Sequence, residues 1–278
     1  MIMKILKLIL ILLAPVLLFS ACEDPIDIDV KEGKPALVVE GWLTDRPENH
    51  YVKLYITKPL GGSNDFEPVR NATLTLSDDA GHTEQLKEVS AGKYEISAIR
   101  GVEARTYTLR IQTAEGSYEA VSKMPRLSMA PDSLTFKYEE KSIIYEQEGY
   151  YPYIHGQELP GEDDFIQVKL FKNNRYLNSV DDINIFPDKF VDGNYIDMGL
   201  EIDSAFAAGD TIRAEVWSLT ENAYYFWADL QTQLRNGGIF ASPLTNTRTN
   251  VKKLTENSKD VIGYFGISLV GTVEKKIE

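Results

Sequence analysis

From residue 36 onward, apolar and polar positions alternate in short stretches with a period of two, the pattern of strands that turn one face inward. Leu37-Val38-Val39-Glu40-Gly41-Trp42-Leu43 and Tyr51-Val52-Lys53-Leu54-Tyr55-Ile56 predict the first two strands, divided by the polar turn 44–49. Further strands are predicted at Ala72 to Ser77, Gln85 to Val89, Lys93 to Ser97, Thr106 to Gln112 and Ser117 to Val121. With turn residues roughly every 8 to 12 positions, this spacing predicts an N-terminal immunoglobulin-like β-sandwich over 36–124. The likeness is one of architecture, because the Cys and Trp pattern of true immunoglobulins is absent.

Met124-Pro125 to Met129-Ala130-Pro131 reads as a proline-bounded connector, and 125–278 as a second β-rich domain. Its strands are expected at Leu134 to Tyr138, Phe165 to Phe171, Tyr195 to Ile202 and Thr211 to Leu219, with a last strand or hairpin over Val261 to Val273. One segment changes period. Ser218-Leu219-Thr220-Glu221 offers a capping box, and Ala223, Trp227, Leu230 and Leu234 recur at helical spacing until Asn236-Gly237-Gly238, which predicts one amphipathic helix near 220–236. Its Tyr224, Tyr225, Phe226 and Trp227 make a wide apolar face, expected to pack across the second sheet.

The N-terminus has a different pattern. Lys4 and Lys7 sit in and before an apolar run from Ile5 to Leu18, and small Ser20 and Ala21 precede Cys22, the one cysteine of the chain. Residues 1–21 resemble a bacterial lipoprotein signal peptide, with Phe19 where such signals usually carry Leu, Val or Ile. The resemblance implies that Cys22 becomes the first residue of the mature chain, bearing thioether-linked diacylglycerol and an amide-linked acyl chain. An ordinary secretory signal or an uncleaved anchor are the alternatives. The apolar stretch is shorter than the roughly 20 residues that span a bilayer, and Glu23-Asp24 follows it directly, so the expectation is a chain anchored to a membrane rather than through it. Asp24 to Pro35, with Asp27, Asp29 and Glu32, completes an acidic tether over 22–35.

Composition narrows the partners. Without Lys4 and Lys7, the 29 basic residues fall to 27 against 42 acidic ones, a formal charge of −15. No Lys/Arg cluster offers a phosphate-binding surface, so nucleic acid is not an expected partner. With Cys22 lipidated no disulfide forms, and stability rests on burial, which a chain of this length can supply in one large or two ordinary domains. Fifteen Tyr and 11 Phe suit β-structure.

Catalytic chemistry is poorly represented. There is no free thiol and no G-x-S-x-G elbow, and the three histidines, His50, His82 and His155, lie far apart in turn-like text, read as surface residues. Glu162-Asp163-Asp164 and Asp181-Asp182 could supply a glycosidase pair, but in so acidic a chain solvated acids are the default. Asp188, Asp192, Asn194 and Asp197 surround Asp192-Gly193 in a way that could wrap calcium, although the spacing does not fit an EF-hand and Asp-Gly between apolar runs is itself a turn signal. No metal and no cofactor are assigned on these grounds. The stretch 145–155 reads as a loop, and its Tyr145, Tyr150, Tyr151 and Tyr153 are the residues chosen for ligand or partner contact, against the alternative of aromatics folded back over the sheet.

Several segments together carry a resemblance: Val39-Glu40-Gly41-Trp42-Leu43-Thr44, Pro68-Val69-Arg70-Asn71-Ala72, Gly92-Lys93-Tyr94, Tyr107 to Ile111, Asn236-Gly237-Gly238-Ile239-Phe240-Ala241-Ser242-Pro243, and Val261-Ile262-Gly263-Tyr264-Phe265. The chain resembles the Bacteroidetes outer-membrane lipoprotein family known as domain of unknown function 4249. That resemblance implies no reaction. It implies a compartment and a partner, since such genes often stand beside TonB-dependent outer-membrane transporters. In lipoproteins of that group, acidic residues after the cysteine act as a surface-export signal, which puts Glu23 and Asp24 in that role. Asp132-Ser133-Leu134, Asp203-Ser204-Ala205 and Asp210-Thr211-Ile212 resemble that group's O-glycosylation acceptors, so Ser133, Ser204 and Thr211 are candidates for modification. The expected function is a non-enzymatic, surface-exposed lipoprotein assisting a TonB-dependent transporter in nutrient uptake. An adhesive or structural envelope protein is the second reading and a surface hydrolase the third.

Overall fold

The computed structural model describes residues 34–58, 66–161, 163–189, 191–236 and 246–278. The signal segment, Cys22, Glu23, Asp24, the acidic tether and the Gly237-to-Pro243 motif lie outside them. Residues 34–278 group as one unit, and the described residues are mostly strands with one long helix, as the period-two pattern predicts.

The first strands are β1 (Leu37–Thr44), β2 (His50–Ile56), β3 (Glu67–Pro68), β4 (Thr73–Asp78), β5 (Thr83–Gln85), β6 (Lys87–Ser90), β7 (Lys93–Ile96), β8 (Thr106–Thr113) and β9 (Gly116–Lys123). After the connector come β10 (Ser133–Glu139), β11 (Gly149–Gln157), β12 (Phe165–Lys172), β13 (Arg175–Tyr176), β14 (Asn184–Pro187), β15 (Tyr195–Gly199) and β16 (Thr211–Leu219). Helix α1 (Glu221–Arg235) follows, then β17 (Val251–Lys253), β18 (Val261–Ser268) and β19 (Val270–Lys276).

Two sandwiches result. In the first, the sheet β18-β1-β2-β7-β6 faces the sheet β17-β9-β8-β4-β5 across a core that includes Leu37, Val52, Leu74, Tyr94, Ile111 and Phe265. Leu86, buried between β5 and β6, marks the corner where the chain leaves one sheet for the other, so the strand expected at Gln85 to Val89 is two short ones. Three fully buried tyrosines bring polar hydroxyls into this core, and each finds a backbone acceptor: Tyr94 donates to the Val69 carbonyl at 2.9 Å, Tyr107 to Arg100 at 2.9 Å and Tyr118 to Lys259 at 3.2 Å. In the second sandwich, β10-β11-β15 faces β13-β12-β16-β19 around Met129, Ile154, Val168, Val216 and Phe206.

The last strands do not stay with the residues that follow 125. β17 pairs with β9, and β18 runs parallel to β1 with Leu37 opposite Val261 and Trp42 opposite Gly266, so both belong to the first sandwich; β19 pairs with β16 in the second. The chain therefore crosses between sandwiches three times: along 124–129, where Met124 is buried in one core and Met129 in the other; through α1; and at Leu269 alone. A sequence pattern shows which face of a strand is apolar but not which strand lies beside it.

The helix starts where the spacing predicts, but with a different cap. Ser218 is in β16, where its hydroxyl accepts from the Leu269 amide at 2.9 Å; Thr220 is the N-cap, its hydroxyl accepting from the Ala223 amide at 3.2 Å. Pairing with β12, with Ser218 opposite Ile166 and Leu219 opposite Phe165, keeps both residues in the strand expected over Thr211 to Leu219. The aromatic face packs as expected over the second sandwich, with Tyr224 on Phe165 at 5.0 Å, and also reaches the first, with Phe226 on Tyr264 of β18 at 5.1 Å.

At the crossing point lies an aromatic cluster. Trp42 of β1 has its ring centroid 6.3 Å from Trp217 of β16, 6.1 Å from Trp227 of α1 and 6.0 Å from Tyr264. Its indole N–H donates to Ser268 Oγ at 2.8 Å, and that hydroxyl donates to the Ser218 carbonyl at 2.5 Å. Gly266 makes the space, since a Cβ there would stand 2.4 Å from the Trp42 ring. The Lys169 ammonium lies 3.3 Å from the Trp217 centroid and pairs across the sheet with Glu215. Dehydration outweighs both and pulls its pKa from 10.5 to about 7.

Two predictions follow from this junction. Gly266→Ala should displace the Trp42 indole and destabilise the fold by about 1–3 kcal/mol, read as a lower urea midpoint with altered tryptophan fluorescence. Between pH 7 and the ordinary lysine range the unfolded chain holds a proton that folded Lys169 has lost, so stability rises with pH across that window, and the penalty of the buried charge is fully present below it. Lys169→Met should remove that rise and exceed the parent in stability at pH 6, as measured by urea midpoints at pH 6 and pH 9.

Candidate functional site

A cavity of about 400 Å³ opens in the second sandwich beside the ends of β11, β14 and β15. Met129, Ile166, Phe186, Ile196 and Met198 give it apolar walls, and Glu158, Asp164 and Asp188 bring carboxylates to the same space. The acids come from three separate places: Glu158 follows β11, Asp164 precedes β12 and Asp188 follows β14. The 191–194 turn closes the group, with Gly193 at φ +69°, a conformation that favours glycine and lets the chain reverse into β15.

Each acid has a distinct environment. Asp164 is 8% exposed and is held by Arg126, whose Nη2 stands 2.6 Å and Nε 3.0 Å from Oδ2, a charge-assisted pair. The same guanidinium donates to the Leu159 and Pro160 carbonyls, which fixes the segment after β11. Glu158 is 1% exposed; its Oε2 accepts from the Gly193 amide at 2.5 Å, while its Oε1 is buried without a hydrogen-bond partner. Burial first, and then the nearby Asp188, Asp164 and Asp192, push its pKa up against the opposing Gly193 amide. Asp188, Asp192 and Glu158 each present an oxygen, all within 4.8 Å of one another.

Of the residues that sequence marks for calcium, the fold brings Asp188 and Asp192 together. Asn194 instead donates its amide to the Asp192 carbonyl at 3.2 Å, and Asp197, on β15, faces His155 at 3.4 Å. Glu158 joins the group from 30 residues away in sequence, and no motif around it signals this. Of the other acids, Asp181 pairs with Arg235, and Asp182 is buried, accepting from the Ser179 and Asp203 amides, while Glu162 lies outside the described residues. His50, expected at the surface, is buried at the start of β2 with a ring nitrogen 2.6 Å from Thr44 Oγ1, and burial lowers its pKa. His82 is exposed beside Asp78, and His155 is partly buried against Thr135 at 2.7 Å.

The tyrosine stretch is strand rather than loop from Gly149 onward, because it pairs with β10 and β15. Period two then divides its members. Tyr150 packs against the second core, whereas Tyr151 and Tyr153 lie on the other face, with the Tyr145 ring tilted against Tyr151 at 4.6 Å and Lys137 over the Tyr153 ring at 3.7 Å. Beside Tyr145 the fully exposed Ile143 and Ile144 add an apolar tip. Ser133 begins β10, Thr211 begins β16, and Ser204 lies exposed in a bend, the most accessible hydroxyl of the three.

The family described as "Domain of unknown function (DUF4249)" matches residues 23–274. Among curated proteins, none matches the chain. Among solved structures, a two fibronectin type-III domain segment from chicken tenascin aligns over 65% of this chain and 88% of its own, at 14% identity and a TM-score of 0.19. Among the described residues, no helix is long and apolar enough to cross a membrane.

The raised pKa of Glu158 has a stability consequence without any metal present. Folded Glu158 keeps its proton above the unfolded value of about 4.5, so its contribution favours the fold at low pH and is lost as pH rises through the folded pKa. In EDTA, Glu158→Gln should lose that part of the pH dependence and melt above the parent at pH 7, since the amide oxygen can still accept from Gly193 while its NH₂ faces the acids. Thermal melts from pH 4 to pH 8 measure this.

Proposed function

The chain belongs to the DUF4249 family, and from that premise we propose that it is a Bacteroidetes lipoprotein held in the outer membrane, facing the exterior, which binds without catalysis and assists a TonB-dependent transporter in nutrient uptake. The observation that carries this reading is the N-terminal sequence: a short basic and apolar segment that ends at Cys22, the one cysteine, with Glu23 and Asp24 directly after it. Lipid at Cys22 holds the chain on the membrane, and the acidic tether gives the folded unit reach.

Two features of the folded unit support a binding role. Ile143 and Ile144 are exposed next to Tyr145, whose ring lies against Tyr151 of β11, and such apolar and aromatic groups at a surface are of the kind that docks on a protein partner. The cavity by β14 and β15 combines apolar walls with convergent carboxylates, which suits a small polar or cationic ligand. The mature charge of −15 favours the same class of ligand and disfavours polyanions.

The test is isolation of the tagged chain from native membranes in detergent. A TonB-dependent transporter should co-purify, Cys22→Ser should move the chain out of the membrane fraction, and the paired change Ile143→Asp with Ile144→Asp should release the transporter while leaving the melting temperature unchanged. A native chain that brings down no transporter overturns the reading.

A further inference from the structure

Glu158, Asp188 and Asp192 form an oxygen-only cluster at the wall of the cavity that supports the binding role. Calcium binds oxygen ligands at about 2.3–2.6 Å, so two ligands of one ion lie no more than roughly 5 Å apart. The three carboxylates meet that limit, all within 4.8 Å of one another. The set is also asymmetric in burial, with Glu158 1% and Asp188 7% exposed and Asp192 at the surface, so an ion would be held from inside and reached from outside.

A second observation points to a ligand. Glu158 Oε1 is buried without a hydrogen-bond partner, although its neighbouring oxygen accepts from Gly193. A buried carboxylate oxygen left bare beside two further acids needs a compensating positive charge or a proton. Among the described residues, no ion pair joins a Lys or Arg to any of the three, and Arg126 is directed at Asp164 and the Leu159 and Pro160 carbonyls. Neither His nor Cys is in the cluster, which selects against zinc, copper and iron and for a hard cation.

We propose that Glu158, Asp188 and Asp192 bind a calcium ion that ties Asp188 and the 191–194 turn to the end of β11. Three carboxylates leave several of the six to eight coordination places to water, which sets a modest affinity, on the order of 10⁻⁴ M, as in extracellular modules. Asp188 and Val191 both line the cavity, so the ion fixes one wall of it and couples the shape of the cavity to calcium outside the cell. The site does not rest on the transporter reading, and either can fail alone.

The mature lipidated chain in detergent, stripped with EDTA and dialysed, is titrated with calcium chloride by calorimetry and melted with and without millimolar calcium. One ion per chain and a calcium-dependent rise in melting temperature are expected. Glu158→Gln and Asp188→Asn should each weaken binding by roughly tenfold or more. Terbium offered in place of calcium should gain sensitised luminescence in the parent and not in these variants, because Tyr195 lines the same cavity. The melting temperature in EDTA shows whether each variant remains folded. A parent with neither heat nor a melting shift in calcium, or a folded Glu158→Gln that binds as tightly as the parent, overturns the proposal. An equal shift from magnesium at the same concentration overturns the choice of ion.

Discussion

The packing of Trp42 against Trp217, Trp227 and Tyr264 is the contact on which the rest of this structure depends. These four rings come from β1, β16, α1 and β18, so one cluster draws on the first strand, the last third of the chain and both sandwiches. Indoles supply large buried area with few rotatable bonds, which makes them effective where separate sheets must be joined. The serine relay from the Trp42 N–H through Ser268 to the Ser218 carbonyl satisfies the polar edge of the cluster and links β18 to β16. Because the chain passes between sandwiches three times, either half is incomplete alone: the first needs β17 and β18 from the far end of the sequence, and the second needs β19, which begins one residue after β18.

This topology also positions the acidic cavity. The acids of the cavity lie just outside the strands, where β11 and β14 end and β12 and β15 begin, which is where side chains from distant segments converge on a rigid scaffold. Arg126 in the connector anchors Asp164 and the Leu159-Pro160 segment, so the connector that divides the cores also holds one side of the cavity. Glu158 is kept in place by Gly193 on the opposite turn, and its burial makes its charge expensive unless something neutralises it. Stability and binding are thus coupled at this corner through one carboxylate.

Much of the fold was legible in residue spacing. Alternation in Tyr51 to Ile56 or Thr106 to Gln112 gave strands in the right places, and Ala223, Trp227 and Leu230 gave a helix, because each pattern reports a locally determined face. What could not be read was pairing across long separations. The parallel register of β1 with β18 joins residues more than 200 positions apart, and nothing in either segment names its neighbour. Tyr150 illustrates the same limit: in a run of tyrosines its role depends on which face of β11 meets the core, and that is settled only when β10 and β15 are in place. His50 was misplaced because strand pairing, opposite Ile96, extended past the local turn signal, and at Ser218 the strand alternation prevailed over the capping pattern that overlaps it. In the site, Asp188 and Asp192 were visible through the Asp-Gly turn, whereas Glu158 was one acid among many until the fold placed it against that turn.

The most direct measurement of whether the aromatic junction makes a single structural unit is native-state hydrogen exchange by mass spectrometry across a denaturant series. Amides of β4 in the first sandwich and of β12 in the second are both central strands, far apart in sequence and in separate cores. If the junction holds the halves together, the slowest amides of both strands exchange with the same opening free energy and the same denaturant dependence. Opening of β12 at lower denaturant while β4 stays protected, or the reverse, would show two independent domains and contradict the account.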